Sequence, residues 1–238
     1  YHRKSSVSAE NNKKALSLFT KATEVDPNYA RAFAWKTCSL ANNSEWFPDD
    51  MPDNWMEDAF SSVNRAMELD PDDPEAHRIL GAVKLMFEGD MDKAIYHHKK
   101  AIEICPSDTF HLARYAVLLS YLGKTDEAIE QLDKALRINP FGSDLIFETQ
   151  GVCRHLQKNF LEALDSFKNM QIDTRTSLFY SGACHKLLGN LDLSSEKLEI
   201  AKTESGMDIE KFVATQLYQD PTTSKDLIAN LSEIEAVT

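Results

Sequence analysis

Small and large apolar side chains recur along this chain in sets with fixed internal offsets. Ala15, Phe19 and Ala22 are followed by Pro27; Ala59, Val63 and Ala66 by Pro71; Ala94, His98 and Ala101 by Pro106; Ala128, Leu132 and Ala135 by Pro140. Two further sets, Ala163, Phe167, Met170 and Ser194, Leu198, Ala201, lack the proline. Offsets of four and three place all three members on one face of an α-helix, and a small residue there lets a neighbouring helix approach closely. The proline cannot continue the helix and pushes the residue before it into extended backbone, so Asp26, Asp70, Cys105 and Asn139 are expected to mark turns.

Between each proline and the next set runs a second stretch with helical spacing. Leu112, Tyr115, Ala116 and Leu119 form one such face, with Gly123 supplying the turn; Leu80, Gly81 and Leu85 form another, with Gly89 as the breaker. The first members of successive sets stand 44, 35, 34, 35 and 31 residues apart. Self-similarity at this period predicts stacked helix pairs rather than one bundle around a single centre.

The pattern resembles the tetratricopeptide repeat (TPR) family, whose leucine-glycine pair, aromatic, turn glycine, alanine and closing proline are matched best by residues 74–140, with the likeness extending over about 30–204. The resemblance implies an all-α fold, a right-handed α-α superhelix of about six helix-turn-helix repeats that binds other proteins. Residues 8–25 are then the second helix of a repeat whose first helix is mostly missing. The second repeat departs from the family pattern with Lys36 and Thr37 where an apolar-small pair is preferred, and the fifth with Gln150 and Gly151. Residues 15–32, 59–83 and 212–237 are also similar to the region following the catalytic domain in bacterial adenylate or guanylate cyclases. Related arrays follow winged-helix domains in some transcription regulators. That likeness implies a module regulating or assembling a larger signalling protein.

The expected organisation is a repeat array over 1–204, interrupted by an insertion at 42–57, and C-terminal capping helices over 205–238 of the same domain. The cap should comprise helices at about 207–219 and 222–235, separated by Asp220-Pro221. Ile209, Phe212, Val213 and Leu217 make the stripe of the first, and Leu227, Leu231 and Ile234 that of the second. A solenoid needs its last apolar face covered. The insertion brings Trp46, Phe47 and Trp55, read either as loop anchors for a partner, since aromatic residues dominate interface energetics, or as rings folded back over the array.

In such an array the first helix of each repeat lines the concave groove. Matching positions from helix to helix gives Arg31, Ala34, Cys38, Arg78, Ala82, Ala113, Val117, Tyr121, Glu148, Val152, His155, Phe179 and Lys186 as the partner-binding residues. Small residues leave room, Tyr121 and Phe179 offer apolar contact, and Arg31, Arg78 and Lys186 could meet carboxylates. Tyr121 and Arg78 are expected to contribute to binding and little to stability. Side chains of this kind can equally pack against each other or a neighbouring domain. Chaperone-binding members of the family hold a C-terminal carboxylate with lysine and asparagine residues, but Ala34, Cys38, Ile79 and Ala113 stand at those places, so capture of a chaperone tail is not expected.

Composition narrows the chemistry. With 38 acidic against 26 basic residues and a net charge of -12, the chain is expected to bind neither nucleic acid nor an anionic membrane surface. The basic run His97-His98-Lys99-Lys100 is short and reads as a solvated helix face, except that His98, in a slot filled by Phe, Val or Leu in the sister sets, reads as a packed histidine rather than a ligand. Cys38, Cys105, Cys153 and Cys184 are too far apart for metal-ligand spacing and read as reduced, packed cysteines of a cytoplasmic protein. Phosphate-loop, dinucleotide, zinc-protease, nucleophile-elbow and calcium-loop motifs are all missing, so no catalytic, cofactor or metal residue is assigned. Asp49-Asp50 and Asp70 to Asp73 fall at turns, where aspartate caps helices. No apolar run approaches the roughly 20 residues of a membrane span. The opening residues lack the apolar core of a signal peptide, and a start at Tyr1 suggests a piece of a longer protein, one that could itself be a nucleotide cyclase. Pairing of two chains through the cap helices or the tryptophan insertion is the alternative to partner binding.

Overall fold

The computed structural model describes residues 9–46 and 51–232. They form thirteen helices and no strand, in two compact units, Tyr1–Pro106 and Ser107–Thr238. The first unit holds α1 (Ala9–Val25), α2 (Ala30–Trp46), α3 (Trp55–Leu69), α4 (Pro74–Glu88) and α5 (Met91–Ile104). The second holds α6 (Thr109–Tyr121), α7 (Thr125–Ile138), α8 (Asp144–Leu156), α9 (Phe160–Lys168), α10 (Arg175–Leu187) and α11 (Leu191–Ser205), then α12 (Ile209–Ala214) and α13 (Pro221–Ser232). Helices pair in sequence as hairpins, α2 with α3, α4 with α5, α6 with α7, α8 with α9 and α10 with α11, and the first helices of neighbouring hairpins also touch within each unit. This is the all-α repeat fold expected from the spacing.

The recurring sets are the seams of these hairpins. Ala59, Val63, Ala66, Ala94, Ala101, Ala128, Leu132 and Ala135 are all at most 1% exposed. The large middle member fits against a small residue of the first helix. A Cβ added to Gly151 would lie 2.3 Å from the Phe167 ring, and one on Gly182 would lie 2.7 Å from Leu198. Gly81 faces His98 in the same way, at 3.0 Å, so His98 is a buried seam residue and does not join a basic surface. Gly151, which breaks the family pattern, therefore does what Gly81 does. In the second repeat Thr37 takes over the seam: its hydroxyl is buried and donates to the Ala59 carbonyl at 3.0 Å. The α10–α11 hairpin is drawn together by the Ser194 hydroxyl, which donates to the Gly182 carbonyl at 2.6 Å.

Helix ends follow local chemistry. Asp70, Cys105 and Asn139, each before a proline, have φ between -130° and -144° and ψ between 75° and 96°, the extended backbone that a following proline enforces. Asp73, Asp90 and Asp108 cap α4, α5 and α6 by accepting backbone N–H bonds at 2.9, 3.0 and 2.8 Å. Gly89 and Gly123 adopt the left-handed conformation, φ 65° and 72°, that closes a helix with little penalty for glycine.

Two expectations need correction. Helix α2 runs on to Trp46, so much of the expected loop over 42–57 is helical. Trp55 opens α3 and turns inward, its ring edge-on to Phe87 at 5.6 Å between centroids. Phe47, Asp49 and Asp50 lie outside the described residues, as does the side chain of Trp46. At the other end, α12 stops at Ala214 instead of continuing to 219. The hydroxyl of Thr215 donates to the Phe212 carbonyl at 2.7 Å, and the chain then runs without helix to Pro221. Ile209, Phe212, Val213, Leu227 and Leu231 are buried as the stripes anticipated, and Ile234 lies outside the described residues.

Candidate interaction surface

In the first unit the groove positions of α2 and α4 divide between surface and core. Arg31 keeps its side chain 48% exposed and pairs with Asp73 at 2.7 Å, the same carboxylate that caps α4. This neighbour raises the Arg31 pKa above its already high ordinary value. Arg78 is 2% exposed: its Nε donates to Glu75 at 2.8 Å, and its guanidinium lies 5.7 Å from the centre of the Trp35 ring. Trp35 in turn stacks on Phe19 of α1, 6.1 Å away. Ala34 is fully buried, whereas Cys38 and Ala82 are half-buried. Arg78 is thus packed inside the unit in an ion pair with Glu75.

In the second unit the first helices α6, α8 and α10 build a face on which the C-terminal segment lies. Tyr121, at the end of α6, meets the ring of Tyr218 edge-on at 5.4 Å, and its carbonyl accepts the Gln219 N–H at 2.8 Å. The Tyr218 hydroxyl also hydrogen bonds to that of Tyr180 on α10. Phe179 is fully buried and stacks on Phe212 of α12, with centroids 4.1 Å apart and planes within 14°. Lys186 donates to the Ala229 carbonyl of α13 at 3.2 Å. His155 packs edge-on against Tyr180 at 5.0 Å and reaches the Cys184 sulfur at 3.2 Å. Glu148 accepts from the Thr174 hydroxyl. Val152 and Ala113 are buried, and Val117 is half-buried.

Burial sets the protonation of this face. It pushes the Tyr121 hydroxyl and the Cys153 and Cys184 thiols up to about 12, so all three stay protonated at neutral pH. It holds His155 down to about 4, hence neutral. Glu148 is raised by burial, against the opposing pull of its Thr174 hydrogen bond and of Arg114. All four cysteines are free thiols.

Tyr121, Phe179 and Lys186 each meet the C-terminal segment of the chain itself, at Tyr218, Phe212 and Ala229. Tyr218, Phe212 and Tyr180 were absent from the expected set. Phe212 was legible as an apolar stripe member. Tyr218, in the short stretch before Asp220-Pro221, follows no helical period that would give it away. No described helix is long and apolar enough to cross a membrane.

Residues 112–141, the α6–α7 hairpin and its closing proline, match the tetratricopeptide repeat family model. The curated bovine (Bos taurus) protein SGT1 homolog is 29% identical over 86 residues, 36% of this chain; that match spans a quarter of the relative's length. Among solved structures, the APC/C hetero-tetramer Cut9-Hcn1 matches with a TM-score of 0.71 at 15% identity, covering 100% of this chain and 46% of that one. A thermophilic TPR protein of Thermus thermophilus matches with a TM-score of 0.55 at 19% identity, covering 75% of this chain and 91% of that one. The chain carries a tetratricopeptide repeat and folds as tetratricopeptide-repeat proteins do.

Proposed function

We propose that this chain is a scaffold for protein-protein interaction, recognising a peptide or protein partner through the first-helix faces of its repeats and catalysing nothing. The observation that carries this reading is the division of labour in each hairpin: seams consume the small and large apolar sets, and the facing side of the first helices is left with mixed polar and aromatic side chains. Such a face suits recognition by shape and a few anchors. The fold shared with the Cut9-Hcn1 hetero-tetramer, itself a protein assembly, supports a protein partner over a small molecule. In the first unit Arg31, Cys38 and Ala82 are the accessible groove positions. Regulation or assembly of a larger signalling protein, such as a nucleotide cyclase or a transcription regulator, rests on the likeness of the edge segments. We place the protein in the cytoplasm, away from nucleic acid and membranes, on its charge and thiol content.

The test uses a peptide selected from a displayed library for binding to the full chain. Ala82→Arg and Arg31→Ala alter bulk and charge in the groove at positions outside the buried core cluster of the unit. They should weaken binding at least tenfold, a loss of about 1.4 kcal/mol, and leave the melting temperature within a degree or two. Unchanged affinity in both variants would remove the first unit's groove from the account. A homodimer is the alternative, and light scattering on the purified chain separates it.

A further inference from the structure

The α4–α5 hairpin brings the ring nitrogens of two histidines together. The Nδ1 atoms of His77 and His97 stand 2.9 Å apart, and Nε2 of His77 lies 2.9 Å from the Pro71 carbonyl. A carbonyl oxygen only accepts, so Nε2 of His77 carries the hydrogen. The Nδ1 of neutral His77 is then a bare lone pair, and it accepts from the Nδ1–H of His97. Spacing along the chain conceals this pair, because one member opens a first helix and the other lies in the middle of the second.

The arrangement is one from which two imidazoles can chelate an ion. A ligating histidine characteristically gives its second N–H to a carboxylate or a backbone carbonyl, which fixes tautomer and ring orientation. Pro71 does this for His77. Two nitrogens bound to one ion at ~2.0–2.1 Å stand ~2.9 Å apart at a right angle and ~3.3 Å apart at the tetrahedral angle. The separation in place therefore needs little or no opening. The rings are inclined by 34°, and His97 is half-buried, which leaves one side of the pair open to water.

We propose that the His77–His97 pair binds a divalent transition-metal ion, Zn2+ in the first instance, through both Nδ1 atoms, with water in the remaining positions. No proton is lost in this step: the hydrogen on Nδ1 of His97 moves to Nε2, and both rings bind as neutral imidazoles. Imidazole suits zinc and copper, whereas Mg2+ and Ca2+ take oxygen ligands. The surrounding charge is close to balanced. Lys84, Lys93 and Lys100 lie within electrostatic reach of the pair, but each meets a carboxylate, Glu88 at 2.6 Å, Asp90 at 2.8 Å and Glu103 at 3.1 Å. Asp72 and Asp73 act on His77 from the turn before α4. The ion ties α5 to α4, a groove helix of the first unit.

Zinc chloride is titrated calorimetrically into the full chain at neutral pH, beside magnesium chloride, for wild type, His77→Gln and His97→Gln. We expect a zinc site that magnesium does not fill and that weakens at least fivefold in each variant. A smaller loss in either variant, or no zinc binding by wild type below millimolar concentration, overturns the inference. A second readout needs no variant: substoichiometric Cu2+ added to the isotope-labelled wild-type chain should first broaden the amide signals around residues 77 and 97. Broadening that begins elsewhere overturns the inference as well. Neither measurement involves a protein partner, so failure here leaves the scaffold reading standing.

Discussion

At the scale of single residues, the hairpins depend on where a side chain is missing. Gly151 gives its Cβ position to the Phe167 ring, itself 5% exposed and unable to retreat. Gly151→Ala should lose stability: overpacking costs about 1–3 kcal/mol, more than the gain of up to about 1 kcal/mol in helix propensity. Urea unfolding measures the loss, and Phe167→Leu in the same chain should recover most of it. The family likeness alone marks Gln150-Gly151 as a departure, because a motif registers identity at a position and not the contact made there. Thr37 is the same case: a polar residue out of place by pattern, yet paired with a seam carbonyl.

Titration belongs to this scale too. His155 is 6% exposed and burial holds it down to about 4, so the fold favours its neutral form. Its stabilisation is complete above the ordinary pKa of 6.5 and is lost as pH falls from there toward about 4, in total on the order of 3 kcal/mol. His97, whose Nδ1 meets that of His77 at 2.9 Å, is also held down to about 4, by burial first and by His77 second, and works in the same window. Glu148 acts oppositely: its raised pKa favours the fold as the carboxyl protonates. Comparing wild type with His155→Gln at pH 7.5 and pH 4.5 isolates the imidazole. Wild type should lose more stability between the two conditions than the variant, and equal losses would show His155 does not sense acid.

At the scale of elements, caps and breaks decide where each helix lies. Thr174 closes a capping box at the start of α10, accepting from the Ser177 N–H at 3.1 Å while its own N–H reaches the Ser177 hydroxyl at 2.9 Å. Its hydroxyl also bonds Glu148 of α8, so the cap ties two first helices together. Thr174→Ala should cost about 1–2 kcal/mol, seen as a shifted urea midpoint with unchanged slope. Thr174→Ser should retain most of the stability. The hairpin helices were legible because apolar offsets of three and four persist over several turns. The limits of α12 were not, since a few residues of extended backbone leave no period to read, and what holds residues 215–220 is Tyr180 together with Tyr121, the latter three hairpins earlier in the chain.

At the scale of the whole molecule, the repeat period runs through residue 106 without interruption, from Ala94 to Ala128, and nothing in it announces two compact units. A period records nearest-neighbour stacking, which is the same on both sides of such a division. The groove residues were drawn from that period alone, and it could not distinguish accessible from occupied positions. Arg78 and Tyr121, the two expected to bind without stabilising, are held by Glu75 and Trp35 in one unit and by Tyr218 in the other. Substituting either should therefore cost stability first.

The central claim is that partners are recognised by first helices and not by second helices or turns. Hydrogen exchange on the full chain, with and without a saturating peptide selected from a displayed library for binding to it, tests this most directly. The account predicts slowed exchange concentrated in α2 and α4, around Arg31, Cys38 and Ala82, with α3 and α5 unchanged. Protection confined to α3, α5 or the turns between hairpins would contradict it.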